Sequence, residues 1–206
     1  MGKDKVLFVL LDEFADWEAA SLAAALNAEP EGQGRQFDVK TVSLTKDPVK
    51  SIGGFTVLPD YGLDDVPDQF AGLMLIGGNS WRKEESQQVM QLVDDAIEKQ
   101  AVLGAICDAT VFLGMNGLLN DGPHTSNFLD DLKAAAGESY SNDSGYVHEQ
   151  AVRNGQLITA NGSAFLDFGK QVLEALQAAP QPEIDEWYSF YKQGFHEFMK
   201  SQNGQN

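Results

Sequence analysis

Four short, almost wholly apolar runs recur along this chain, and each gives way to a stretch with helical spacing. They are Val6 to Leu11, Gly72 to Ile76, Val102 to Ile106 and Leu157 to Ala160. A surface strand alternates apolar and polar residues, whereas an unbroken apolar run of this length reads as a strand buried on both faces. The Ala-rich stretch Trp17 to Asn27 follows the first run. Glu85 to Lys99 follows the second, with Val89, Leu92, Val93, Ala96 and Ile97 at helical intervals. A helix through Val111, Phe112 and Met115 follows the third, and Asp167 to Leu176 the fourth. Repetition of strand, turn and helix predicts an α/β fold, a mainly parallel sheet sandwiched between helices.

The remaining segments fit around that frame. Phe37 to Leu44 alternates like a half-buried strand, and Ser51 to Leu58 suggests a hairpin folded around Gly53 and Gly54; both are expected at an edge. Pro180-Gln181-Pro182 separates off a final aromatic-rich helix from about Glu183 to Met199, followed by a polar tail, Ser201 to Asn206. Its aromatics, Trp187, Tyr188, Phe190, Tyr191, Phe195 and Phe198, are expected to pack on the body or to cover a subunit interface. At 206 residues the chain fits one large domain.

Composition removes several classes of function. With 14 basic and 31 acidic residues the formal charge is −17, which repels phosphate backbones and anionic lipid headgroups, so neither nucleic acid nor membrane is an expected partner. The apolar runs are also far below the roughly 20 residues needed to cross a bilayer as a helix. Met1 to Asp4 runs straight into the first strand with no signal-peptide core, and one cysteine cannot form an internal disulfide, which points to the cytoplasm. His148 and His196 have no partners at metal-ligand spacing, and the acidic residues lack the calcium-loop pattern, so no metal and no cofactor is expected.

Open α/β sheets bind ligands beyond the carboxyl ends of their strands. Three places there carry chemistry. Cys107 ends the third apolar run and starts the next helix, where free N–H groups and the helix dipole favour a thiolate. Asp108 beside it works the other way, because a neighbouring carboxylate disfavours that anion. Gly77-Gly78 can aim main-chain N–H groups at an oxyanion, or can simply be a tight turn. Within Asp12 to Glu18, a protonated Glu18 can donate a hydrogen bond to the sulfur, or can be an exposed first-turn carboxylate. A lone cysteine at a strand end is also often an inert small hydrophobe.

These residues resemble the DJ-1/PfpI superfamily. The first strand is followed by Glu18, the second apolar run ends in Gly77-Gly78, and the elbow reads Gly104-Ala105-Ile106-Cys107. Gly117 to Gly122, His124-Thr125-Ser126-Asn127 and Leu157 to Ala164 come in the same order, and the likeness covers most of residues 5 to 178. The resemblance implies a flavodoxin-like three-layer sandwich, a homodimer, and Cys107 as nucleophile with Glu18 tuning it and Gly78 stabilising an oxyanion. It also implies a cysteine-dependent hydrolase or amidotransferase-like enzyme acting on a small molecule; a redox or stress sensor that uses Cys107 oxidation, or a chaperone-like protein, is the alternative. Many relatives carry a histidine directly after the cysteine or further downstream. Asp108 and Asn127 fill those slots here, which argues against a protease, and His124 lies three residues short of the later one. On a strand that odd offset turns its side chain to the other face.

Overall fold

The computed structural model describes residues 4–28 and 36–203. The expectations for Met1 to Lys3 and for the last three residues of the polar tail lie outside the described residues. Strands β1 (Asp4–Val9), β2 (Phe37–Ser43), β5 (Tyr61–Gly62), β6 (Gly72–Leu75), β7 (Val102–Ile106), β8 (Ala151–Asn154) and β9 (Leu157–Ala160) form one sheet. Their order is β5-β2-β1-β6-β7-β9-β8, with every neighbouring pair parallel except β8 against β9. Strands β3 (Val49–Lys50) and β4 (Thr56–Val57) make the expected hairpin as a separate antiparallel pair. The helices are α1 (Asp16–Leu26), α2 (Met90–Glu98), α3 (Asp108–Met115), α4 (Leu129–Ala136), α5 (Phe165–Ala175), α6 (Gln181–Gln193) and α7 (Phe195–Asn203).

The apolar runs are continuous because each strand faces two cores. In β1, Leu7 and Val9 join a cluster with Leu92 and Val93 of α2, Phe112 and Leu113 of α3 and Leu132 of α4. Val6 and Phe8 face the other way, onto Leu22 and Leu26 of α1, Phe168 and Val172 of α5 and Ile184 of α6. Alternate residues from Val6 to Val9 thus serve opposite layers, and none of these four is left for solvent. The result is the expected three-layer, flavodoxin-like sandwich.

Four expectations need correction. β2 is not an edge strand, since the two-residue β5 lies outside it. The helix after β6 opens with a 3-10 segment, Glu84–Val89, before α2. There the Ser86 hydroxyl bonds back to the carbonyls of Trp81 (2.7 Å) and Lys83 (2.6 Å), a local alternative to helical pairing. The final helix is two helices, broken at Gly194, whose φ of 81° closes α6 in the left-handed region that glycine adopts freely. α7 then carries the helix on to Asn203, into the stretch expected to be a polar tail. The aromatic cluster divides: Trp187 packs on the body and Phe198 is buried, while Tyr191 and Phe195 are exposed.

Candidate active site

The carboxyl ends of β1, β6, β7 and β9 converge on Cys107. Its backbone adopts φ 59° and ψ −129°, a conformation that costs a non-glycine residue on the order of 1–3 kcal/mol and persists only when neighbours enforce it. They do: the Cys107 N–H donates to Ala160 O of β9 (2.9 Å), and its carbonyl accepts from both the N–H (3.1 Å) and the hydroxyl (2.6 Å) of Thr110. The Thr110 hydroxyl also lies 2.6 Å from that of Ser126. The strand is thereby turned sharply into α3, with the sulfur projecting from the bend.

Two glycines make room for that sulfur. A Cβ on Gly77 would lie 2.5 Å from Cβ of Cys107 and 2.8 Å from the Ile106 carbonyl, and a Cβ on Gly162 would lie 2.8 Å from Sγ and 3.0 Å from Oε1 of Glu18. Any side chain at either position would displace the thiol or the carboxyl.

Glu18 sits in the first turn of α1 and is fully buried, not exposed. Its Oε2 accepts the Gly77 N–H at 2.8 Å. Oε1 has no hydrogen-bond partner among the described residues, and the Cys107 thiol lies close enough to the carboxyl to act on its protonation. Burial outweighs the hydrogen bonds and raises the Glu18 pKa to about 7; the Asp108 charge adds to the rise. Burial, followed by the Glu18 charge, pushes the Cys107 thiol up to about 11, against the lowering pull of Asn127 and of the Asp108 main chain. The two groups titrate as a pair, and between those steps they hold one proton in common.

Asn127 donates from Nδ2 to Sγ at 3.3 Å. Its Oδ1 accepts the Gly162 N–H at 2.8 Å, which fixes the amide with its NH2 toward the sulfur. An amide held this way steadies the sulfur but takes no proton from it, so the position where the resemblance implies a histidine supplies only a donor here.

The Gly77-Gly78 turn divides its work. Gly77 N–H is taken by Glu18, which removes it from the expected oxyanion pair. Gly78 lines the cleft, and its N–H donates to no group among the described residues. The Asp108 carboxylate turns away from the sulfur to Arg82, accepting from Nε (3.0 Å to both oxygens) and Nη2 (2.5 Å). Arg82 also donates to Asp131 of α4 from Nη1 (3.1 Å) and Nη2 (2.6 Å). Nothing in the sequence marks Arg82, which lies 26 and 49 residues from its two partners. Ala15, Trp17, Ile52 and Asn79 complete an open cleft of about 400 Å³ around Cys107, Glu18 and Asn127.

His124 is not part of this group. It lies in a loop that makes one isolated bridge, to Tyr146, so the strand-parity reason expected for its turning away does not apply. Its ring is buried, with Nδ1 3.2 Å from the Gly122 carbonyl and Nε2 2.8 Å from the Tyr140 hydroxyl, and burial lowers its pKa. Among the described residues no cluster of three or more histidine, cysteine or acidic side chains is arranged for a metal ion.

Comparison with known proteins finds relatives of this chain and of its fold. A DJ-1/PfpI family profile matches residues 4–175. YdeA of Bacillus subtilis strain 168, described as an uncharacterized protease, is 40% identical over 195 residues, spanning 94% of each chain. The crystal structure of a thiJ/pfpI family protein from Bacillus anthracis superposes with a TM-score of 0.87 at 28% identity, covering 97% of this chain and 95% of the other. The DJ-1 superfamily protein Atu0886 from Agrobacterium tumefaciens gives 0.81 at 30% identity, covering 92% of this chain and 98% of its own.

Proposed function

The chain belongs to the DJ-1/PfpI family, and from that premise we propose that it is a cysteine-dependent, hydrolase or amidotransferase-like enzyme acting on a small carbonyl compound. The observation that carries this reading is the strained Cys107 elbow, whose sulfur accepts the Asn127 amide beside a buried glutamate with one oxygen unpartnered among the described residues. Glu18 takes the role that histidine plays elsewhere. As the sulfur attacks, the thiol proton passes to Glu18 Oε1, the S–C bond forms, and the carbonyl π pair moves onto oxygen. The unused Gly78 N–H supports that oxyanion. On collapse Glu18 returns the proton to the leaving group, and water then cleaves the thioester by the same steps. A carboxyl raised to about 7 is suited to both halves of this exchange near neutral pH.

The sensor reading draws on the two N–H donors around the sulfur, Asn127 Nδ2 and the Asp108 main chain, which would also hold the oxygens of an oxidised cysteine. The raised thiol works against it, because oxidation starts from the thiolate. Turnover of small esters and amides separates the two. The enzyme reading expects turnover that disappears in Cys107→Ala. Selective oxidation of Cys107 by peroxide, with no turnover across the panel, favours the sensor or chaperone-like alternative.

A further inference from the structure

The lining of the cleft is of two chemistries. Asp108, Arg82, Asn79 and Asn127 are polar; Ala15, Trp17 and Ile52 are apolar. Trp17 and Ile52 are 46% and 47% exposed, although large apolar side chains more often turn inward. Both are held in place. The Trp17 indole N–H donates to the Gly162 carbonyl at 3.0 Å, tying the ring to the loop that abuts the sulfur. Ile52 N–H donates to Phe14 O at 2.8 Å, and the neighbouring Gly53 N–H to Asp16 Oδ2 at 2.8 Å, so the hairpin tip is pinned to the start of α1. An apolar wall fixed before anything binds loses little freedom when something does.

The polar part of the lining carries an excess of negative charge. Arg82 is shared by two carboxylates, Asp108 and Asp131, so the trio retains one unbalanced negative charge within a chain of formal charge −17. A substrate anion would meet repulsion there, with the guanidinium already engaged.

We propose that Trp17 and Ile52 form a specificity wall, and that the cleft selects uncharged electrophiles bearing an aromatic or bulky apolar group over their carboxylate-bearing counterparts. This rests on Cys107 as the reacting centre, and it names the substrate class for that centre. The aromatic group lies against the indole and the isoleucine, while the electrophilic carbon approaches the sulfur.

Three alkylating reagents test it without requiring turnover: iodoacetamide, iodoacetate and N-benzyl iodoacetamide. Rates with Cys107, read by intact mass, are divided by those of N-acetylcysteine amide under the same conditions. The benzyl reagent is expected to gain about tenfold over iodoacetamide, in line with partial burial of one ring. Iodoacetate is expected to lose roughly fivefold at low ionic strength, a deficit that shrinks as salt is added. Trp17→Ala and Ile52→Ala should each reduce the benzyl preference. Trp17→Phe, which keeps a ring without the indole N–H, should retain most of it, and Tyr191→Ala, on the distant α6, should leave it intact. Equal normalised rates for all three reagents would overturn the proposal, as would an aromatic preference that survives in Trp17→Ala/Ile52→Ala. Because alkylation needs no catalysis, selectivity without turnover would sink only the enzymatic reading, and turnover without selectivity only this one.

Discussion

Two polar groups lie close together in sequence and opposite in character. Around His124, Nδ1 faces the Gly122 carbonyl, and Nε2 faces the Tyr140 hydroxyl, which donates to Asn142 O at 2.9 Å. The rings of Tyr140 and Tyr146 pack edge-on against the imidazole, and the histidine is sealed from solvent. Around Cys107 the opposite holds: among the described residues Glu18 Oε1 lacks a hydrogen-bond partner and the Gly78 N–H is unused, and the backbone is strained beside an open cleft. A buried polar group is usually satisfied, and a closed network such as that of His124 serves stability. Reactive capacity in this chain resides where hydrogen-bonding capacity is left over, and that is not where its histidine is.

The two regions should respond to pH with opposite signs. A carboxyl whose pKa is raised on folding stabilises the folded state at low pH: the effect of Glu18 is complete below about 4.5 and is lost as pH rises through about 7. The size is about 3 kcal/mol. Urea unfolding of the wild type from pH 4.5 to 8.5 should show that decline, and Glu18→Gln should flatten it. A decline of the same size in the variant would place its cause outside the cleft.

The lowered pKa of His124 acts in the other direction. Its contribution is present above about 6.5, the ordinary value, and is lost as pH falls and the unfolded chain takes up the proton. His124→Phe should remove that acid-side loss and cost about 1–3 kcal/mol at pH 7.5 through the unpaired groups it leaves. The alkylation rate of Cys107 should not change. Slower alkylation in His124→Phe would join the two networks and break the contrast between them.

The frame of the fold was legible because burial on both faces leaves an unambiguous mark. β7 and β9 begin and end where their apolar runs do, β6 lies within its run, and β1 overlaps its run from Val6 to Val9 after starting on the polar pair Asp4 and Lys5. The elements that escaped notice are short or polar: β5 has two residues, β8 contains Arg153 and Asn154, and α4 opens with two aspartates and buries only Leu132 and Ala136. The break at Gly194 was written in the chain, but aromatic residues on both sides gave the appearance of one helix. Cys107, Glu18 and Gly78 were legible as positions after strands, and Asn127 from the resemblance. The rest depended on topology. That Gly77 would spend its N–H on Glu18, and that Arg82 would face Asp108, follows from neighbouring strands β1, β6 and β7 bringing their ends together, which no local spacing encodes.

Arg82 supplies the smallest expected effect and the sharpest use of the contrast. It can act on the cleft by charge, offsetting the Asp108 carboxylate beside the nucleophile, or by position, tying the start of α3 to α4 through Asp131. Arg82→Gln removes both. With Asp108 uncompensated, both Glu18 and the thiol should hold their protons more tightly, and the pH profile of Cys107 alkylation should move upward. The shift should stay under about one pKa unit, since the guanidinium is partly solvated and exposed pairs are weakly coupled. Adding Asp108→Asn to Arg82→Gln removes the offending charge without restoring the tie to α4. If charge is what matters, the double variant returns to the wild-type profile; if position matters, it remains displaced or moves further, and Asp131→Asn alone reproduces the displacement.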